Sequence, residues 1–335
     1  MSLLEKIKKN STIELSSSIS ESTVLLDKFE CPTSIPAINI ALGGGLKSGL
    51  TSGITIFAGE SKRFKSMYSL FLVSEYMKKF PESVCLFYDS EFGTPLKYFE
   101  KFGIEVDRVV HTPITDVEEL KHDIVSQLKA LERNERVIIM IDSLGNLASK
   151  KEIDDAQDGK VVADMSRAKS MKSLFRMITP LLAIKDIPMI AINHVYAQIG
   201  AMFPQNVQNG GTGVQYSPNS VFFVGREQTR DGTDVIGYKF SLNIEKSRLV
   251  QEKSKFPIEV SFENGINKWS ALLDIAMDIG FVVSPTKGWY SRVYDDGSIE
   301  EKKWRRKDTD SNEFWDVLFD NPEFDKAIIK RYRLD

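Results

Sequence analysis

Residues 54–66 read ITIFAGESKRFKS: an apolar run, Ile54–Ala58, that empties into Gly59, Glu60, Ser61, Lys62, Arg63 and Phe64, followed by Lys65 and Ser66. A strand that turns into a helix at Lys-Ser is the layout of a phosphate-binding loop, G-x-x-x-x-G-K-[ST]. In such a loop backbone N–H groups wrap the phosphates, the lysine reaches the β and γ oxygens, and the hydroxyl holds Mg²⁺. A helix that begins at Lys65 adds the positive end of its dipole to the same place. The stretch therefore points to a nucleoside triphosphate at the end of one strand of an α/β sheet. Phe64 stands where the pattern has its second glycine, so its side chain must point away from the phosphates.

The rest of the composition suits a folded core. The 335 residues are 42% hydrophobic and 27% charged, enough for one large domain with appendages. Two cysteines, Cys31 and Cys85, lack ligand-like spacing, which leaves neither a disulfide framework nor a zinc site. The N-terminal MSLLEKIKKNSTIEL carries charges where a secretory signal needs an apolar stretch, and no run approaches the ~18 apolar residues of a membrane span, so a cytoplasmic location is expected. A net charge of −3 argues against a general polyanion sponge but leaves room for local basic patches. One such patch is Lys302, Lys303, Arg305, Arg306 and Lys307 around Trp304, which reads equally well as a solvated surface run.

Outward from the loop, apolar β-type runs alternate with helical patterns, as parallel strands with crossover helices do. After Ile54–Ala58 come a helix over Lys65–Lys79, a strand Val84–Tyr88, and a helix Asp116–Glu132 with a capping-box pattern at Thr115 and Glu118. Val137–Ile141 is the next strand. A polar loop near Lys150–Lys160 precedes a long helix to about Ala183, kinked at Pro180, and then the strand Pro188–Asn193. Further runs at Ser220–Val224, Tyr238–Ile244 and Ile258–Phe262 extend the sheet on its far side.

Ligands of open α/β sheets sit beyond the carboxyl ends of the strands. Asp142 ends VIIMID, where a carboxylate orients the Mg²⁺ shell through water. Asp89 and Glu91 lie just past the strand expected beside it, and Glu91 is the better general base for a water attacking a γ-phosphate. Asn193 and His194 end a fourth strand, where a polar side chain can sense that phosphate. Each residue alone has a structural alternative; together they form one pattern.

That pattern resembles the RecA-family recombinases, and within them the strand-exchange recombinases of T-even bacteriophages. The likeness runs from about Thr33 to the C-terminus through IPAINIALGGGLKSG, GESKRFKS, CLFYDSEFG, VIIMIDSLGNLASKKE, DMSRAKSMKSLFR, IPMIAINH, NGGTG, NIEKSR, ENGIN and GWYSR. The phage subgroup also carries Phe before the loop lysine. The resemblance implies a RecA-like P-loop ATPase core, α/β with a central, mostly parallel sheet, flanked by an N-terminal arm and a small C-terminal α/β module. It implies ATP and Mg²⁺ as cofactors, DNA-dependent hydrolysis to ADP with AMP as a further product to test, and a helical filament on single-stranded DNA that pairs it with homologous duplex.

Roles carry over by position. Lys65 and Ser66 would contact phosphates and Mg²⁺, Asp142 the metal's water shell, Glu91 the attacking water, and Tyr98 would stack on adenine. His194 stands where bacterial relatives have Gln. Lys246 and Arg248 match a pair that reaches the ATP of the neighbouring subunit, where cations stabilise developing charge; without the resemblance they read as solvated charge. For DNA, the loop Lys150–Lys160 and the helix face Arg167, Lys169, Lys172 and Arg176 form one surface. The stretch Tyr196–Gln215, with Met202, Phe203, Gly210 and Gly211, forms the other, its glycine amides suited to phosphates and its apolar side chains to wedging between bases. The carry-over is firmest at Lys169, Arg176, Gly210 and Gly211.

Residues 1–33 read as an arm that docks on the adjacent subunit, 34–268 as the ATPase and DNA-binding core, and 269–335 as the C-terminal module, with Asn321 capping a final helix that has Pro322 at its first position. A recombination mediator and a single-strand-binding protein are implied partners, a membrane is not. A ring-forming replicative helicase motor shares the core pattern but carries a large helical domain in front, where this chain has only residues 1–33. A binding paralogue without hydrolysis draws support from Phe64 alone.

Overall fold

The computed structural model describes residues 1–26, 28–133, 135–160, 165–197 and 206–334. It begins with helix α1 (Leu3–Asn10), started by a capping box between Ser2 and Glu5, and the single turn α2 (Thr23–Leu26). Leu3, Leu4 and Ile7 of α1 are all exposed. The two-residue strands β1 (Glu30–Cys31) and β2 (Leu50–Thr51) pair antiparallel around α3 (Pro36–Gly43), whose Pro36 occupies the first turn, where its missing N–H costs nothing.

The core is a nine-stranded sheet. Strand β3 (Gly53–Ala58) is buried at all six positions, as a strand covered on both faces must be. It leads into α4 (Lys65–Lys79), which forms with the bounds read from the sequence and ends on Lys78 and Lys79, favourable at the negative end of the helix dipole. Then follow β4 (Val84–Asp89), α5 (Leu96–Lys101), β5 (Val109–Pro113), α6 (Val117–Ala130) and β6 (Val137–Asp142). The N-cap of α6 is Asp116 rather than Thr115: its carboxylate accepts the Glu119 N–H at 2.8 Å, while Thr115 donates to the Glu119 side chain. A short carboxylate outcompetes a threonine one position earlier because it reaches the N3 amide directly.

The polar stretch after β6 is not a loop. Ser149 and Glu152 form a capping box that starts α7 (Lys150–Gln157), a signal present in the sequence as S-x-x-E. Helix α8 (Ser166–Lys185) runs through Pro180 and ends on Asp186 in the left-handed region. Strand β7 (Pro188–Asn193) has the bounds read from the sequence. The short strands β8 (Val195–Ala197) and β9 (Asn206–Gln208) pair antiparallel, and a turn leads to α9 (Thr212–Tyr216). A long hairpin, β10 (Ser220–Asp231) and β11 (Asp234–Ser247), then β12 (Lys255–Ser261) and β13 (Gly265–Ile266) complete the sheet.

Its order is β13-β12-β11-β10-β3-β7-β6-β4-β5. From β10 to β5 neighbours run parallel, and from β10 to β13 antiparallel, so the expected extension on the far side is a meander. As expected, β4 lies beside the Asp142 strand β6, and it is separated from the P-loop strand by β7 and β6. The chain crosses over two positions and returns to fill them, which places the ends of β3, β7, β6 and β4 in a row.

The remaining residues form α10 (Leu272–Asp278), a three-stranded sheet of β14 (Val282–Thr286), β15 (Trp289–Arg292) and β16 (Trp304–Arg305), and helices α11 (Asn312–Phe319) and α12 (Pro322–Tyr332). Asn321 caps α12 by accepting the Glu323 N–H. Trp315, stacked on Trp269 and Phe319, fills the centre of this module. Helix α12 closes back on the core: Asp325 accepts the Leu46 N–H at 2.8 Å, and Val250 bridges to Arg333. Among the described residues no helix is long and apolar enough to cross a membrane.

Candidate nucleotide site and nucleic-acid interface

The loop after β3 closes around its own lysine. Lys65, almost fully buried, donates from Nζ to the carbonyls of Gly59 (3.0 Å) and Glu60 (2.7 Å). Burial draws its pKa down, and the nearby Glu91 and Asp142 carboxylates oppose that shift. Arg63 pairs with Glu60 at 2.5 Å, and Arg226 donates to the Lys62 carbonyl, which fastens the loop to β10. Lys62 and Phe64 both sit in the left-handed region, at φ 59° and 65°.

Phe64 is held there by its ring. It stacks on Phe240 of β11 at 4.7 Å between centroids and meets Tyr68 edge-on at 5.3 Å. A bulky residue at positive φ costs about 1–2 kcal/mol, and an aromatic pair returns about 0.5–1.5 kcal/mol beyond its buried area. Phe is accommodated where the pattern has Gly because Phe240 of β11 supplies an aromatic platform for its ring.

Ser66 donates to Asp142 Oδ2 at 2.9 Å, and Thr94, in the loop between β4 and α5, donates to the same oxygen at 3.0 Å. Asp142 is buried, and its Oδ1 has no hydrogen-bond partner among the described residues. Burial, with the Glu91 carboxylate adding to it, pushes its pKa up to about 6. An orphaned buried carboxylate oxygen beside a serine hydroxyl fits a hydrated divalent cation, and the lysine in its carbonyl cradle fits an anion.

Glu91 projects beyond β4 on a loop that Asp89 organises. Asp89, the last residue of β4, is itself buried and accepts the N–H groups of Glu91 (3.1 Å) and Phe92 (2.8 Å), with His111 Nε2 of β5 at 3.2 Å. The Glu91 carboxylate faces His194, Nε2 to Oε2 3.7 Å, and the imidazole first, then Ser143 and Asp142, hold its pKa down to about 2. Two carboxylates in one cleft are thus driven apart, Glu91 ionised and Asp142 the readier to carry a proton.

His194 follows β7. Its Nε2 lies 3.4 Å from Ser143 Oγ, and its ring rests on Gly145, where an added Cβ would stand 2.3 Å from Cδ2. The His194 carbonyl accepts the Asn209 N–H at 3.0 Å, and Asn193 donates to the Asn209 carbonyl at 2.8 Å. The end of β7 therefore grips the segment that carries Gly210 and Gly211, at φ 104° and 75°. The P-loop residues 61–66, Glu91, Tyr98, Asp142, His194 and Phe240 all line one cleft.

Lys246 and Arg248 are elsewhere on the surface. Lys246 Nζ donates to the carbonyls of Gln215 and Tyr216, and burial followed by the Arg248 charge lowers its pKa. Arg248 is exposed. On α8, Lys169, Lys172 and Arg176 are exposed on one face. Arg167 leaves that face: its guanidinium turns inward to the carbonyls of Leu144, Gly145 and Leu147 and to the Asn209 side chain. Met202 and Phe203 lie outside the described residues. In the basic cluster Trp304 is buried, Lys302 sits over its ring at 3.5 Å and pairs with Glu313, and Arg306 pairs with Asp274.

Thr94, Ser143, Gly145 and Asn209 were missed in the sequence reading. Gly145 had a signal, a glycine just past the Asp142 strand end. Thr94 had none, because its hydroxyl reaches Asp142 only through the path of the loop.

A family model described as the RecA N-terminal domain matches residues 4–267, and one for the C-terminal domain of the bacteriophage T4 recombination and repair protein matches residues 269–328. The chain is 50% identical to the recombination and repair protein of Enterobacteria phage T4, over 99% of this chain and 86% of the relative. It is 27% identical to the RecA protein of Paracoccus denitrificans, over 88% of this chain and 78% of the relative. To the RecA protein of Streptomyces ambofaciens it is 25% identical, over 90% and 76%.

Proposed function

We propose, from the premise that this chain belongs to the RecA family, that it is an ATP-dependent recombinase of DNA recombination and repair. It would assemble with copies of itself into a helical filament on single-stranded DNA and pair that strand with homologous duplex. The observation that carries this reading is the single cleft that gathers Lys65, Ser66, Glu91, Asp142 and His194, with the strand under His194 gripping the Gly210–Gly211 segment.

In this reading Lys65 releases the Gly59 and Glu60 carbonyls to bind the β and γ oxygens of a triphosphate, and Tyr98 stacks on the base. Ser66 and Asp142, whose Oδ1 has no partner among the described residues, would hold a hydrated magnesium, the latter through water. A bound Mg²⁺ supplies neutralisation of charge on the transferring phosphoryl group. Glu91, ionised and braced by Asp89, orients and polarises the attacking water, and His194 contacts the γ-phosphate and relays its presence to Asn209. Lys246 and Arg248 of an adjoining copy complete the site. On the DNA side Lys169 and Arg176 neutralise phosphates, and Gly210 and Gly211 bring backbone amides close, with Met202 and Phe203 assigned to base wedging. The arm, residues 1–33, docks on the next subunit, and residues 269–335 act as a separate module. A recombination mediator and a single-strand-binding protein load and clear the strand in the host cytoplasm.

The test is turnover of ATP with and without single-stranded DNA, for the natural chain and Lys65→Ala, with ADP and AMP separated, together with electron microscopy on DNA and an ATP analogue. DNA-stimulated turnover lost in the variant and helical filaments are expected. Turnover that survives Lys65→Ala sinks the site assignment, and closed rings favour a helicase motor.

A further inference from the structure

We infer that Arg167 is a positioning residue that couples the nucleotide cleft to the Gly210–Gly211 segment, acting through Asn209. The inference rests on the recombinase reading above and adds to it a residue that touches neither ligand. Arg167 lies in the first turn of α8, at the base of the helix whose outer face carries Lys169, Lys172 and Arg176. All three nitrogens of its planar fork donate. Nε donates to the Leu147 carbonyl at 2.5 Å, and Nη2 to those of Leu144 (2.9 Å) and Gly145 (3.2 Å). Nη1 donates to Asn209 Oδ1 at 2.7 Å.

Three of those bonds fix the turn that follows Asp142, and the fourth reaches the segment entering Gly210. Asn209 is thereby held from two sides, by Arg167 through its side chain and by His194 and Asn193 through its backbone. The two anchors are themselves in contact, since the His194 ring rests on Gly145, whose carbonyl Arg167 holds. Any displacement of His194 relative to that turn must change the geometry at Asn209 or break the Arg167 fork. A lysine, a point charge with three donors on a flexible stem, cannot satisfy four acceptors spread over two segments. A phosphate-binding role is left to the exposed cations of α8, because all Arg167 donors with assigned partners point to neutral oxygens inside the protein.

The experiment compares the natural chain with Arg167→Gln, Arg167→Lys, Asn209→Ala, the Arg167→Gln/Asn209→Ala double variant, and Arg176→Gln as a phosphate-contact control. ATP turnover is measured with and without single-stranded DNA, and DNA affinity across a salt series. Arg167→Gln is expected to keep its DNA-free turnover and KM for ATP while its DNA stimulation falls on the order of tenfold. Arg167→Lys is expected to behave like Arg167→Gln, and the double variant to be no worse than either single one, because both changes remove the same link. The slope of log affinity against log salt should stay at the natural value in Arg167→Gln and flatten by roughly 0.7 in Arg176→Gln.

Full DNA stimulation in Arg167→Gln, rescue by lysine, additive losses in the double variant, or a flattened salt slope in Arg167→Gln overturns the inference. Parallel loss of DNA-free and DNA-stimulated turnover with a lowered Tm assigns a structural role only, and also overturns it. Should Arg167→Gln not fold, Asn209→Ala carries the same test through the other partner. A natural chain whose turnover ignores DNA sinks the recombinase reading itself, a result separate from any of these.

Discussion

His194 Nε2 stands 3.7 Å from Glu91 Oε2 while the same ring is seated on the bare Cα of Gly145. The residue proposed to feel the γ-phosphate and the carboxylate proposed to activate water therefore share one spatial adjustment, and Gly145 sets it.

Gly145→Ala is expected to lift the imidazole off its seat, since the new methyl would stand 2.3 Å from Cδ2. An ångström-scale misplacement costs on the order of 10–100-fold in turnover. The loss should appear in kcat with DNA rather than in KM for ATP. Unchanged DNA-stimulated kcat in a folded Gly145→Ala protein would remove His194 from the proposed mechanism.

Asp142 gives a pH prediction with a definite sign. Its folded pKa is raised to about 6, by burial first. The folded state thus binds more protons than the unfolded chain between the ordinary aspartate pKa, about 4, and about 6. The protonated carboxyl's contribution to stability is present below that window and lost as pH rises through it. In the absence of nucleotide, Asp142→Asn should be more stable than the natural chain at pH 7.5, on the order of 2 kcal/mol, and should lose that advantage near pH 4. Magnesium-dependent turnover should vanish in the same variant. Thermal unfolding at the two pH values decides the first point, and an advantage that grows as pH falls would reverse the assignment.

At Phe64 the backbone and the ring pull in opposite directions. Phe64→Ala forfeits the stacking on Phe240 and keeps the left-handed strain, whereas Phe64→Gly forfeits the ring but accepts φ 65° freely. Glycine should therefore be the more stable of the two by about 1 kcal/mol, with ATP turnover retained in both. Denaturant titration measures the gap. Alanine proving the more stable would mean that the loop relaxes to another conformation once the ring is gone.

Lys246 lies outside the cleft of its own chain, where it bonds to the Gln215 and Tyr216 carbonyls. If it serves a neighbour's site, Lys65→Ala and Lys246→Ala should each be inactive alone and complement each other when mixed. In an equal mixture of head-to-tail assemblies roughly a quarter of the sites should combine an intact loop with an intact finger. A mixture as inactive as its components would place Lys246 outside the reaction.

Much of this was legible in the sequence for a physical reason: strands buried on both faces are continuous apolar runs, and β3, β4, β6 and β7 all announce themselves that way. The residues at their ends, Asp142, Glu91 and His194, could be assigned to a common cleft once the strands were known to be parallel. Spatial order was not legible, because nothing in Val84–Asp89 says that two later strands will come between it and β3. Nor was the direction of Arg167. Helical periodicity placed it near Lys169 and Arg176, but a residue in the first turn can fold back over the preceding segment, where the carbonyls of Leu144, Gly145 and Leu147 accept from it.

The partners of Lys65 have one more consequence. With the Gly59 and Glu60 carbonyls already against its ammonium, Lys65 is engaged before any visitor arrives, and an incoming anion has to displace those two oxygens. Occupancy is then a contest between rival acceptors on a preset scaffold. In the proposed reading a diphosphate, with less negative charge than the triphosphate, would compete less well against those two carbonyls for Lys65.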